Sequence, residues 1–258
     1  MRTFLRKDRP TLTVMIRAQS RQRVLELIRK GLAGGADAFG IQLGLLPPEE
    51  WERAALTELI DATEGKPTYL TNYRRTGEDG SVDESLARGL LLAAECGGTL
   101  IDMMGDLFSP HPLQLTSEPR AVRRQAELID ALHERGAEVL ISSHTYRFLP
   151  EAEVLDMVKE QHRRGADICK VVTGAENDLE LSENFRTSAR LAELSYPALF
   201  LCGGERCPAH RRVAPLLRKT GIFLCVAERD DLATPAQPLL QEAKRLVDTV
   251  FPIGEIKE

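Results

Sequence analysis

The sequence predicts a single (β/α)8 barrel filling residues 1–258, and three observations lead there. Strand-like and helix-like stretches alternate eight times. The strand stretches are continuous apolar runs, the pattern of strands buried on both faces in an all-parallel sheet with helices outside. Neither a composition shift nor a linker divides the chain, and 43% hydrophobic residues over 258 positions suffice for one large core. An open doubly wound sheet is the competing architecture. It rarely needs eight such regular units, and no Gly-x-Gly-x-x-Gly follows a strand.

Residues 11–17 form the first apolar run. Ser20 caps the helix behind it, Val24, Leu25, Leu27 and Ile28 share a face, and Gly34-Gly35 stops it. Residues 38–45 make strand two, and Pro47-Pro48 opens a helix ending near Gly65. Strand three covers 67–73, and its helix runs over 83–96 to Gly97-Gly98. Residues 99–104 and 118–135 form the fourth pair, closed by Gly136; residues 138–144 and 151–164 form the fifth. Strand six, 167–173, is apolar and rich in β-branched residues apart from Lys170, and a helix over 179–194 follows. Strand seven spans 196–204 with its helix at 209–219; strand eight spans 222–227 and the last helix 236–250.

Charge and composition narrow the function. A net charge of −5 gives no basic footprint for nucleic acid or an anionic membrane. No apolar run approaches the roughly 18 residues that span a bilayer, and residues 1–8 lack the apolar core of a signal peptide. The five cysteines (96, 169, 202, 207 and 225) lie mostly in apolar contexts, predicting reduced thiols and a cytoplasmic protein. Cys202 and Cys207 stand near His210, but without a second ligand pair they make no metal site.

In such a barrel the active site lies at the C-terminal ends of the strands. Those positions carry Gln42 and Gly44, then Arg74 and Glu78, Asp102, His144, Lys170, Glu205, Arg206 and Arg211, and Gln237. Burial of Lys170 would disfavour its ammonium form and yield a nucleophilic amine. The alternative is a strand-end lysine that snorkels to solvent or pairs with a carboxylate. Neighbouring strands lie about 4.8 Å apart, so Lys170 and His144, on strands six and five, can meet over one substrate. That pair suits imine formation with a carbonyl and proton abstraction beside it.

These residues resemble the type I 3-dehydroquinate dehydratase family over about residues 11–250. Arg74-x-x-x-Glu78-x-Gly80 resembles its Arg-x-x-x-Glu-Gly-Gly loop, and Ser142-Ser143-His144 its Ser-x-His. Asp167-Ile168-Cys169-Lys170 is similar to the strand of its imine-forming lysine. Arg211 with Pro235-Ala236-Gln237 resembles its carboxylate-binding arginine and Pro-Gly-Gln lid. The resemblance implies that Lys170 forms an imine with C3 of dehydroquinate. His144 would take a C2 proton and protonate the departing C1 hydroxyl, a syn loss of water, with Glu78 tuning it. Arg211 and Gln237 would grip the carboxylate of this small carboxylated carbonyl substrate, and Arg74 the ring hydroxyls. No cofactor is implied, because the lysine supplies the electron sink; family members are often homodimers.

The sequence also departs from the family. Its Glu-x-Arg at the end of strand two is here Gln42-Leu43-Gly44, a strand-four glutamate is Met104, and the lid serine falls at Ala233 with Thr234 beside it. Either Arg74, Arg75 and water take over the lost hydroxyl contacts, or the substrate differs. The alternatives are a lyase or class I aldolase acting on another small carbonyl compound, and a barrel kept for binding without turnover. Phosphorylated sugars fit poorly, because strand eight runs into Glu228-Arg229-Asp230-Asp231.

Overall fold

Eight parallel strands form one sheet in the order β7-β6-β5-β4-β3-β2-β1-β8, curled into a nearly closed (β/α)8 barrel. They are β1 (Thr11–Ile16), β2 (Ala38–Gln42), β3 (Thr68–Thr71), β4 (Leu100–Met104), β5 (Glu138–His144), β6 (Ile168–Gly174), β7 (Ala198–Gly203) and β8 (Ile222–Cys225). Around them lie α1 (Arg21–Ala33), α2 (Arg53–Asp61), α3 (Asp83–Glu95), α4 (Pro119–Glu134), α5 (Glu151–Arg163), α6 (Asp178–Ala192), α7 (Pro208–Val213) and α8 (Leu240–Val250). This computed structural model describes residues 3–47, 50, 52–218 and 220–252.

Local chemistry sets most of these boundaries. Ser20 Oγ accepts the Arg23 N–H at 3.3 Å, as the sequence predicts for the α1 cap. Glu118 caps α4 by accepting from Arg120 and Ala121 at 3.0 and 2.6 Å. Proline explains several departures. α8 starts at Leu240 rather than 236, because Pro238 lacks an N–H and biases its predecessor away from helix. α7 stops at Val213, and Pro215 lies in the 3-10 turn Ala214–Leu217 that replaces the rest of the expected helix; Lys219 lies outside the described residues. β2 ends at Gln42 and passes into a 3-10 turn, Leu43–Leu45. The chain is again extended at Leu46 and Glu52, so α2 begins at Arg53. Pro48, expected in its first turn, lies outside the described residues.

Helices and barrel share one apolar layer, to which α1 contributes Val24, Leu27 and Ile28 and α2 Leu56 and Leu59. A second cluster fills the barrel itself, with Tyr69, Leu100, Leu140, Ile168, Leu199 and Leu224 among its members. Phe4 seals its lower end at 1% exposure, and its N–H donates to Glu138 Oε2 at 2.7 Å.

One expectation is corrected. Cys202 and Cys207 are joined in a disulfide rather than reduced, while Cys96, Cys169 and Cys225 are free. The Gly203-Gly204 turn brings the start of α7 back over the end of β7. The two Cα atoms are then 5.4 Å apart, within bridging reach. Among the described residues no helix is long and apolar enough to cross a membrane, and no three His, Cys, Asp or Glu side chains group as a metal site.

Candidate active site

Strand periodicity aims alternate side chains inward, and at the C-terminal mouth those side chains surround a cavity of about 650 Å³. All eight β/α units contribute. Gln42, Arg74, Glu78, His144, Lys170, Arg211, Thr234 and Gln237, singled out from sequence, line it; Gly44, Asp102, Glu205 and Arg206, named with them, are not among its lining residues, and Arg206 pairs with Asp178 instead. Met104 lines it as well.

Lys170 forms its floor at 5% exposure. Its Nζ donates to Tyr69 Oη at 2.8 Å, Tyr73 Oη at 3.0 Å and Asp102 Oδ2 at 3.2 Å. Asp102 is fully buried and also accepts from both tyrosine hydroxyls and, at 2.5 Å, from Ser142 Oγ. A carboxylate pair is therefore present, as the alternative reading of this lysine allowed, but the lysine in it lines the cavity. Burial pushes the Lys170 amine below its ordinary pKa against the pull of Asp102, and Arg211 adds to the lowering. Burial next to Asp102 drives the tyrosines the other way, so both remain hydroxyl donors. Gln161 of α5 fixes the lysine backbone, accepting from Lys170 N at 2.9 Å and donating to its carbonyl at 3.0 Å.

His144 closes β5, one alternation above Ser142, which pairs with Lys170 in the ladder. Its ring lies edge-on to Tyr73 at 5.0 Å and stacks on Tyr146 at 6.0 Å. Burial, with Lys170 and Arg211 nearby, holds its pKa well below the usual histidine value, leaving a neutral imidazole. Gln114 orients it: Gln114 Oε1 accepts the His144 backbone N–H at 2.9 Å and lies 3.3 Å from Nδ1. An Nδ1–H donated to Gln114 leaves Nε2 free to accept a proton. Gln114 and Tyr146, on either side of this ring, both have left-handed backbones, at φ 47° and 54°. Each loop is packed against a glycine. A Cβ on Gly105 would lie 2.7 Å from the Gln114 carbonyl oxygen, and one on Gly174 would run into that of Tyr146.

Glu78, which the resemblance assigns to tuning His144, is engaged elsewhere among the described residues. It is exposed, and its carboxylate accepts the Arg75 N–H at 2.6 Å within its own turn. Arg74 is likewise committed, to Asp83 at 2.6 and 2.7 Å and to Asp106 Oδ1 at 2.9 Å. Arg75 donates to the carbonyls of Gly44 and Leu46 at 2.8 and 3.3 Å.

Arg211 is different. Its Nε donates to Cys202 O at 2.6 Å and its backbone N–H to Cys207 O at 3.0 Å, yet no carboxylate pairs with it among the described residues. Burial lowers its pKa to about 10. Gln237 stands in the loop after β8, with its Oε1 buried and without a donor. Arg229 braces that loop through the carbonyls of Thr234 and Gln237. Glu228 and Asp230 tie it to α1 through Arg23, and Glu228 also through Lys30. Its ends meet in a parallel bridge between Val226 and Leu239.

Sequence reasoning missed Arg17, Tyr69, Tyr73, Gln114 and Tyr146 as site residues. Arg17 and Tyr73 close the first and third apolar runs, so strand alternation could have found them. Gln114 and Tyr146 lie in loops and carry no such signal.

Residues 12–250 match the type I 3-dehydroquinase family. The curated 3-dehydroquinate dehydratase of Methanosarcina barkeri strain Fusaro is 25% identical over 230 residues, covering 88% of this chain and 90% of that protein. The crystal structure of 3-dehydroquinate dehydratase from Geobacillus kaustophilus HTA426 superposes with a TM-score of 0.77 at 16% identity, over 95% of this chain and 93% of that one. The type I enzyme of Clostridium difficile gives 0.77 at 14% identity, over 94% and 93%. The chain belongs to the type I 3-dehydroquinase family of hydro-lyases.

Proposed function

We propose that this protein converts 3-dehydroquinate to 3-dehydroshikimate through an imine on Lys170. The observation that carries the reading is a buried amine on the floor of a cavity that also holds a neutral imidazole and an unpaired arginine. Free Lys170 Nζ adds to the C3 carbonyl, and the carbinolamine loses water to give the protonated imine. His144 Nε2 then takes a proton from C2, and the C–H electron pair flows into the imine as an enamine. Its return breaks the C1–O bond, and His144 gives the proton to the departing hydroxyl, which leaves as water. Hydrolysis of the product imine restores Lys170.

Surrounding groups act on position and charge. Tyr69, Tyr73 and Asp102 hold Nζ in place. Gln114 fixes the imidazole, the role the resemblance gave to Glu78. Arg211, Gln237 and Thr234 receive the carboxylate beneath the loop after β8, which limits water at the imine.

Borohydride trapping tests this directly. The protein is incubated with 3-dehydroquinate and borohydride, and its intact mass is measured beside Lys170→Ala. A substrate- or product-mass adduct on the native protein alone is the expected result. A folded native protein that gives no adduct, with substrate still present, would sink the assignment.

A further inference from the structure

Of the charged side chains lining the cavity that the proposed mechanism leaves unused, Arg74, Arg75 and Glu78 have partners of their own and Arg17 has no ion pair among the described residues. Arg17 immediately follows β1 and lines the cavity together with Met15. Its Nε is buried with no acceptor, and its guanidinium makes no ion pair among the described residues. A buried N–H donor without a partner is costly and uncommon. The other two arginines on this side are already taken: Arg74 by Asp83 and Asp106, Arg75 by the carbonyls of Gly44 and Leu46. Neither is free to replace the charged pair missing from strand two.

Position says what Arg17 meets. Ile16 pairs with Ile41 in the β1–β2 ladder, which sets Arg17 beside Gln42. In the sheet order β1 stands four strands from β5, so Arg17 lies across the mouth from His144. A six-membered ring joined at C3 to Lys170, with its C1–C2 edge toward His144, turns its C4–C5 edge the other way. On dehydroquinate that edge carries two hydroxyls.

We propose that Arg17 is a specificity-determining residue that, with Gln42, binds the substrate's C4 and C5 hydroxyls. Arg17 would supply from the first strand the guanidinium that the resemblance expects on the second. This assignment rests on the dehydroquinate reading for the orientation of the ring.

The test uses two carboxylates that lack a carbonyl and so cannot form an imine: quinate, and 1-hydroxycyclohexanecarboxylate, which has no hydroxyls along the C3–C5 edge. Binding of each to the native protein, Arg17→Met and Arg17→Lys is measured by calorimetry, with the thermal midpoint as a folding control. Arg17→Met should weaken quinate about 10- to 100-fold, as expected for loss of a charged hydrogen bond. Lysine should restore part of the loss, and the deoxy compound should bind all three proteins alike. Equal weakening of both ligands, no weakening of either, or no quinate binding by the native protein would each overturn the assignment. Borohydride trapping on the same proteins separates the two readings. An adduct with Arg17-independent quinate binding removes Arg17 alone. Arg17-dependent quinate binding without an adduct removes the dehydratase reading and leaves a site for polyhydroxylated carboxylates.

Discussion

At the scale of single residues, the site runs on opposed environments. Lys170 and His144 are pushed toward their neutral forms, while Tyr69 and Tyr73 are kept protonated. Another histidine, the fully buried His210, lies between Phe185 and Phe200 and bonds Ser188 at 2.9 Å; burial lowers its pKa to about 4. Both histidines titrate lower in the folded protein than in the unfolded chain, where the pKa is about 6.5. Below that pH the unfolded chain binds more protons, so stability falls as the solution is acidified. The contribution is fully present above about pH 6.5 and is lost as pH drops through the folded values, His210 supplying on the order of 3 kcal/mol. Urea denaturation at pH 7 and pH 5, beside an NMR titration of the imidazoles, measures this. His144 and His210 should remain neutral at pH 6, and a His144 midpoint at or above 6.5 would contradict the burial account.

At the scale of elements, what the sequence reveals follows from how local each signal is. Strand runs and the Ser20 cap are short-range features, and the structure keeps them within a few residues. α7, α8 and the segment after β2 deviate at Pro215, Pro238 and the Leu43–Leu45 turn, where backbone constraint outweighs apolar periodicity. The candidate site was legible at Lys170 and His144, whose side chains stand on strands, although Arg17 and Tyr73, which continue strands in the same way, were passed over. It was illegible at Gln114 and Tyr146, on loops that carry no such signal. Gln114 reaches His144 from 30 residues away, and only tertiary packing decides that contact. Gly174 shows how tight such packing is, because the Tyr146 backbone crosses directly over it. Gly174→Ala should therefore displace the 145–147 loop, cost about 1–3 kcal/mol and disturb the imidazole under Tyr146. The check is a lower denaturation midpoint together with a changed His144 resonance. A variant matching the native protein in both would show that the loop gives way freely.

At the scale of the whole molecule, the barrel separates chemistry at the C-terminal mouth from stability at the opposite end, and one column of side chains joins the two. Phe4 seals the lower end and meets Tyr69 edge-on at 6.1 Å; Tyr69 in turn bonds the lysine amine at the cavity floor. Removing the Phe4 ring leaves a void in a close-packed interior, at a cost of about 3–5 kcal/mol. For a chain of this length that corresponds to a fall in thermal midpoint of roughly 6–9 °C. The effect on catalysis should be far smaller, because Asp102 and Lys170 hold the Tyr69 hydroxyl from above, independently of the ring below. Phe4→Ala is therefore expected to melt early yet keep kcat at 25 °C within about threefold, since the contacts at the reacting atoms are retained. Thermal denaturation beside steady-state kinetics decides it. A kcat that collapses while the protein is still folded would mean that the floor of the site is positioned from beneath, and that Tyr69 depends on Phe4 rather than on Asp102 for its place.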